Sequence, residues 1–205
     1  MRRALKIDEA SYGKDHPNVA RDFNNLAQLL QATNRLAEAE PLMRRALEID
    51  EASYGKDHPD VASDLNNLAY WLKATNRLAE AEALLRRVVK IFEISLGENH
   101  PNVGASLGNL AALLKATNRI VDAEPLMRRV VEILLNFTMA TGYLHPQMQM
   151  AINNYYILLE EMGYDQARIN ELFGDMGIEL SEDMGGIQVN KRRCSINVTF
   201  GSASL

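Results

Sequence analysis

The sequence predicts an all-α chain, a right-handed solenoid of antiparallel helix pairs, and three observations predict it. The first is self-similarity. Met1–Leu42 aligns without a gap on Met43–Leu84 with 34 of 42 positions identical, and Leu85–Leu126 matches the first block at 24 of 42. A fixed period of this length marks stacked supersecondary units rather than one closed core. The second is that each period carries two apolar stripes at helical spacing, which an isolated helix pair cannot bury and a stacked neighbour can. The third is composition: 47% hydrophobic residues but only 6% aromatic, with abundant Ala and Leu, side chains that lose little freedom in a helix.

Within each period the first helix is expected to begin at a His-Pro pair, at His16-Pro17, His58-Pro59 and His100-Pro101. Proline suits the first turn, where its missing N–H has no partner to lose. Asp15, Asp57 and Asn99, just ahead, are the expected caps. Val19, Phe23, Leu26, Ala27 and Leu30 form the inward stripe. The helix should stop at Ala32-Thr33-Asn34-Arg35, because Asn34 can take the left-handed conformation that ends helices; the same tetrapeptide recurs at 74–77 and 116–119. A second helix follows, with Leu36, Ala39, Leu42, Met43, Ala46 and Ile49 inward, and runs to about Tyr54, where Gly55 stops it. The small residues Ala27, Ala39 and Ala46 let adjacent helices approach closely.

A fourth, diverged copy starts at His145-Pro146, three residues late, with an insertion near Asn136–Thr141. Tyr164–Phe173 is expected to form a short capping helix, with Ile169, Leu172 and Phe173 inward. The solenoid is therefore assigned to residues 1–180, with its cap near 164–174. Residues 181–205, including Gly185-Gly186, are expected to form a flexible tail, although Ser195–Phe200 alternates as a marginal strand would. The chain opens inside a second helix, since Met1–Leu5 equals Met43–Leu47. The uncovered face of that half-repeat suggests a piece cut from a longer protein, or self-association with another copy.

Several functions are disfavoured. A net charge of −5 and a pI near 5.4 argue against a general nucleic-acid binder. No apolar run approaches the ~20 residues of a membrane span, and the first residues lack the apolar stretch of a secretion signal, so a cytoplasmic location is expected. The lone Cys194 allows neither an intrachain disulfide nor a cysteine zinc cluster. His16, His58 and His100 fall one stacking step apart and should not converge on a metal, so a helix-entry role is expected. No phosphate-cradling glycine loop, metalloprotease His-Glu pair or nucleophile elbow is present. The expectation is no catalysis and no cofactor, with the acids recurring as a surface would. The Arg-Arg pairs at 2–3, 44–45, 86–87 and 128–129 lie near Glu38, Glu40 and Glu48 and read as a salt-bridged face. Trp71, in place of Leu29, is assigned to packing.

Leu26-Ala27, Leu30, Ala39 and Ala46 resemble the small and apolar pattern of the tetratricopeptide repeat (TPR) family. The Asn-Asn-Leu-Ala core, the Glu-Ala-Glu-Pro-Leu segment and the 42-residue period are most similar to its kinesin-light-chain variety. The resemblance covers roughly Met1 to Met162, with Asn34, Asn76 and Asn118 where the family often has glycine. It implies a protein-interaction scaffold whose first helices line a concave groove. By position, that groove would present Arg21, Asn24, Asn25, Gln28 and Gln31, then Ser63, Asn66, Asn67, Tyr70 and Lys73. The third repeat would add Asn109, Ala112 and Lys115, with Gly108 departing from the Asn-Asn pair, and the fourth Asn153, Asn154, Ile157 and Glu160.

The recurring element is a ladder of Asn25, Asn67, Asn109 and Asn154. A carboxamide donates and accepts at once, so it can grip the main chain of an extended peptide. The alternative is that these amides bond neighbouring helices. Arg21, Lys73 and Lys115 favour an acidic segment. The expected partner is thus a protein or peptide rather than nucleic acid or a membrane. A structural, self-associating module and the sensor arm of a larger multidomain protein are the rival roles.

Overall fold

The computed structural model describes residues 2–180, 187–189 and 196–198. Its helices are α1 (Arg2–Tyr12), α2 (Pro17–Ala32), α3 (Leu36–Tyr54), α4 (Pro59–Ala74), α5 (Leu78–Leu96), α6 (Pro101–Ala116), α7 (Ile120–Thr141), α8 (Met148–Glu161) and α9 (Gln166–Asp175). Each first helix (α2, α4, α6) packs on the second helix of its own repeat and, behind it, on the second helix of the repeat before. This is the stacked arrangement the repeat predicts. The insertion is absorbed as helix: α7 has 22 residues against 19 in α3 and α5.

The helix entries differ from expectation in one respect. The N-cap is the histidine itself, not Asp15, Asp57 or Asn99. Nδ1 of His16, His58 and His100 accepts the backbone N–H of Asn18, Asp60 and Asn102 at 3.1, 3.2 and 3.1 Å. With proline at the first helical position, the residue before it becomes the cap, and the acid lies one residue too far out. Asp15 is free to pair with Arg45 on α3 instead. The imidazoles of His16 and His58 also stack on Tyr12 and Tyr54, at 4.8 and 4.6 Å between ring centres. At the far ends, Asn34, Asn76 and Asn118 have φ of 57°, 60° and 59°, the left-handed turn that the Ala-Thr-Asn-Arg segments predict.

Ala20, Ala27, Ala39 and Ala46 are wholly buried, so the helices touch almost backbone to backbone. The largest apolar core runs from Leu26 through Trp71, Leu114 and Leu134 to Phe173 and Ile178. Trp71 is buried and its indole N–H donates to the Leu36 carbonyl at 3.0 Å, a packing role. Outside the core the repeats are laced by charge. Glu40 holds Arg44 and Arg77 of the next repeat, each at 2.7 Å, and Glu82 does the same for Arg86 and Arg119. The equivalent Glu124 on α7 instead accepts the hydroxyl of Tyr155, from the diverged fourth copy, at 2.7 Å. The Arg-Arg pairs at 44–45, 86–87 and 128–129 are ion-paired throughout.

The sequence reading did not include a sheet. After α9, the strands β1 (Ile178–Leu180), β2 (Ile187–Val189) and β3 (Ile196–Val198) pair antiparallel, with Ile178 opposite Val189 and Ile187 opposite Val198. Each strand reads apolar-polar-apolar, the period of an extended chain; the alternation at Ser195–Phe200 contains β3, whereas β1 and β2 carry too few residues to register as strands. Apart from β2 and β3, the expected flexible tail at 181–205 and Cys194 lie outside the described residues. No helix among the described residues is long and apolar enough to cross a membrane.

Candidate binding face

The first helices α2, α4, α6 and α8 leave three successive hollows between them. The first, about 380 Å³, lies between α2 and α4 and is lined by Arg21, Asn24, Asn25, Gln28, Ser63 and Asn67, with Asp50, Tyr54, Asp60 and Asp64. The second, about 350 Å³, lies between α4 and α6 and includes Ser63, Asn66, Asn67, Ala105 and Asn109. The third, about 470 Å³, lies between α6 and α8 and includes Gly104, Gly108, Asn109, Ala112, Lys115, Met150, Asn154 and Ile157.

The ladder amides line this series, with Asn67 and Asn109 at its two joints. Asn25 lines the first hollow, Asn67 the first and second, Asn109 the second and third, and Asn154 the third. This follows from the repeat: residues 42 apart take equivalent places on stacked helices. Asn25, Asn109 and Asn154 are exposed and Asn67 is half-buried. Among the described residues no hydrogen bond engages the side chains of Asn25, Asn67 or Asn154. Asn109 donates to Asn66 Oδ1 on the neighbouring helix at 3.0 Å. Asn24 likewise crosses between repeats, donating to Asp64 Oδ1 at 2.5 Å.

Five positions assigned to the groove, Gln31, Tyr70, Lys73, Asn153 and Glu160, line none of the three hollows. Tyr70 stands 67% exposed, Lys73 is exposed beyond them, and Asn153 accepts from Gln149 on its own helix at 2.9 Å. The cations are distributed unevenly. Lys115 is paired with Glu161 at 2.8 Å, and Arg21 shares its hollow with Asp50, Asp60 and Asp64.

Two residues that the sequence reading left on the surface are buried here. Asp50 on α3 and Asp64 on α4 are only 7% and 3% exposed. Their carboxyls lie within hydrogen-bonding reach of each other. Burial pushes both acids up, Asp64 to about 7, with the Asp50 charge adding to the rise and the Asn24 amide opposing it. The pair therefore holds a proton near neutrality. A signal for this exists in the sequence. Asp50 continues the inward spacing of Ala39, Met43 and Ala46, and Asp64 stands one turn after the buried Val61. Among the described residues no group of three or more His, Cys, Asp or Glu side chains could hold a metal ion.

The tetratricopeptide repeat model matches residues 1–52, 23–94 and 66–136, in phase with the helix pairs described above. The chain belongs to the tetratricopeptide repeat family. Solved TPR structures show the same fold. The nearly identical TPR-like repeats of a candidate kinesin light chain from Podosopora anserina superpose with a TM-score of 0.67 at 24% identity, over 85% of this chain and 81% of that one. BtubC (BKLC) from P. vanneervenii gives 0.70 at 21% identity, over 85% and 68%. YrrB gives 0.55 at 18% identity, over 84% and 73%. No curated protein matches the chain. The kinesin-light-chain-like TPR solenoid read from the repeat is thus borne out, with the short sheet added beyond its last helix.

Proposed function

We propose that the chain is a non-catalytic interaction scaffold that holds an extended segment of a partner protein across α2, α4, α6 and α8. One observation carries the reading: one ladder amide per repeat lines the series of hollows, and those of Asn25, Asn67 and Asn154 have no side-chain partner among the described residues, while Asn109 bonds Asn66. A strand-like segment offers an N–H and a C=O at every residue, and a carboxamide satisfies both. The rungs supply affinity independent of sequence, and the residues between them supply choice. YrrB, which shares the fold, is described as a TPR protein with an unusual peptide-binding site, and that adds support. The acidic ligand drawn from Arg21, Lys73 and Lys115 is not part of the proposal, because Glu161 engages one of these cations and another lines no hollow.

The test is a random peptide library selected on the chain and on an Asn25→Ala/Asn67→Ala/Asn154→Ala variant. These three amides make no side-chain bonds among the described residues, so thermal stability should not change. Each main-chain hydrogen bond is worth about 1 kcal/mol net, so the variant should bind selected peptides on the order of 10- to 100-fold more weakly. Equal binding by the two chains would refute the ladder.

A further inference from the structure

We propose that the hollow between α2 and α4 takes the cationic head of a lysine or arginine side chain carried by the bound segment, set between Asp50 and Asp64. The proposal rests on the peptide-binding reading and adds a chemical preference at one place along it. Three buried oxygens lining this hollow, Asn24 Oδ1, Asp50 Oδ1 and Asp64 Oδ2, accept no hydrogen bond from any N–H or hydroxyl of the described residues, and the single proton held by the two acids cannot serve all three. A buried acceptor without a donor is costly, and both aspartates are more than nine-tenths buried. An ammonium carries three N–H donors and a guanidinium five, whereas a divalent cation such as calcium needs six or more oxygens.

The resident groups do not supply that cation. On α2, Arg21 lines the hollow but forms no ion pair among the described residues. On α3, Tyr54 faces the same space, and around α4 His58 and Asp60 act on Asp50, with Asp60 also acting on Asp64. From α5, Val88 and Ile91 meet this end of α4 and bring no charge. Without ligand the two carboxyls share a proton. A bound cation takes the place of that proton, which passes to solvent, and the pair becomes fully ionised against the new charge. The third repeat has Phe92 and Ser106 at the equivalent positions. The basic side chain is therefore confined to one end of the face and fixes the direction in which the segment lies.

The experiment selects displayed random dodecapeptides on the unaltered chain and on Asp50→Asn/Asp64→Asn. The pool from the unaltered chain is expected to carry Lys or Arg at one aligned position several-fold above input, and the variant's pool is expected to lose that enrichment. A consensus with no basic position, or the same basic position in both pools, overturns the cation site and leaves the peptide reading standing. No consensus at all on the unaltered chain overturns both. If circular dichroism shows the double variant unfolded, a His58→Asn chain decides, because asparagine keeps the helix cap and removes the imidazole that acts on Asp50. On that chain a selected basic peptide should bind about tenfold more weakly at pH 6 than at pH 8, as protons compete for the carboxyls. A copy with norleucine in place of the basic residue should show a flat profile. Parallel profiles for the two peptides overturn the proposal.

Discussion

The first hollow and the third are built on the same frame and floored with opposite chemistry. Both lie between first helices, and both have ladder asparagines along their rims. The first has the acid pair Asp50 and Asp64, with Asn24, Gln28 and Arg21 around it. The third opens where Asn24 and Gln28 have become Gly108 and Ala112, over Met127, Val130 and Leu134. The apolar core records the same contrast. At the first-hollow end it is split into separate clusters, one ending at Ile49 and the other containing Leu65, with Asp50 and Asp64 adjacent to those two residues. Around the third hollow it is continuous. A repeat protein can therefore hold its stacking geometry fixed while each hollow acquires its own lining chemistry.

The contrast should appear first in stability. Leu134 is 1% exposed, floors the third hollow and belongs to the continuous core. Leu134→Ala should cost roughly 2–5 kcal/mol in urea unfolding, the range for a buried leucine whose cavity cannot collapse. A loss under 1 kcal/mol would mean that the third floor is loosely packed and the contrast is overstated.

The floor of the first hollow should respond to pH instead. The folded chain raises Asp64 to about 7, well above an ordinary carboxylate, so it holds a proton that the unfolded chain has released. Stability is then greatest below about pH 4 as far as this group is concerned, and it falls as pH rises through 7. Asp64→Asn keeps the shape without the titration. The variant should gain on the unaltered chain by roughly 1–3 kcal/mol at pH 8 and little at pH 5. A difference independent of pH would show that the pair does not share a proton.

How much of this was legible in the sequence depends on whether the signal was local. Helix ends were readable because His-Pro, Asn-Arg and glycine act on the residues beside them. The places of the four ladder amides were readable because stacking turns a sequence period into a spatial one. The acid pair was passed over for the same reason: Asp8 and Asp50, like Asp22 and Asp64, recur in phase with the repeat, and surface acids recur in the same way. Burial there is decided by α2, α3 and α4 together, and only the inward spacing of Asp50 after Ala46 hinted at it. Tyr70 shows the reverse error. Its helical position matches Gln28, yet it stands clear of the hollows that Gln28 lines.

The frame itself should show effects of similar size in both halves. Removing a side-chain N-cap costs about 1 kcal/mol, so His58→Ala and His100→Ala should each lower stability by about that amount. His58 also stacks on Tyr54, whereas the residue equivalent to Tyr54 in the next repeat is Leu96. His58→Ala should thus be the more damaging of the two by a few tenths of a kcal/mol. A difference beyond about 1 kcal/mol would mean that the frame is not shared.

The smallest expected effect tests the outer ionic rungs. Arg119 pairs with Glu82 of the repeat before it and with Asp122 on its own helix, at 2.7 and 2.8 Å, on an exposed face. Exposed pairs gain little Coulomb energy and lose side-chain freedom in forming. Arg119→Gln should shift the urea midpoint less than either histidine change, and the shift should vanish in 1 M sodium chloride, where screening acts within ~3 Å. A larger loss that survives high salt would mean the rungs hold the stack together, and the distinction would then lie between an ionic shell and the core rather than between one hollow and another.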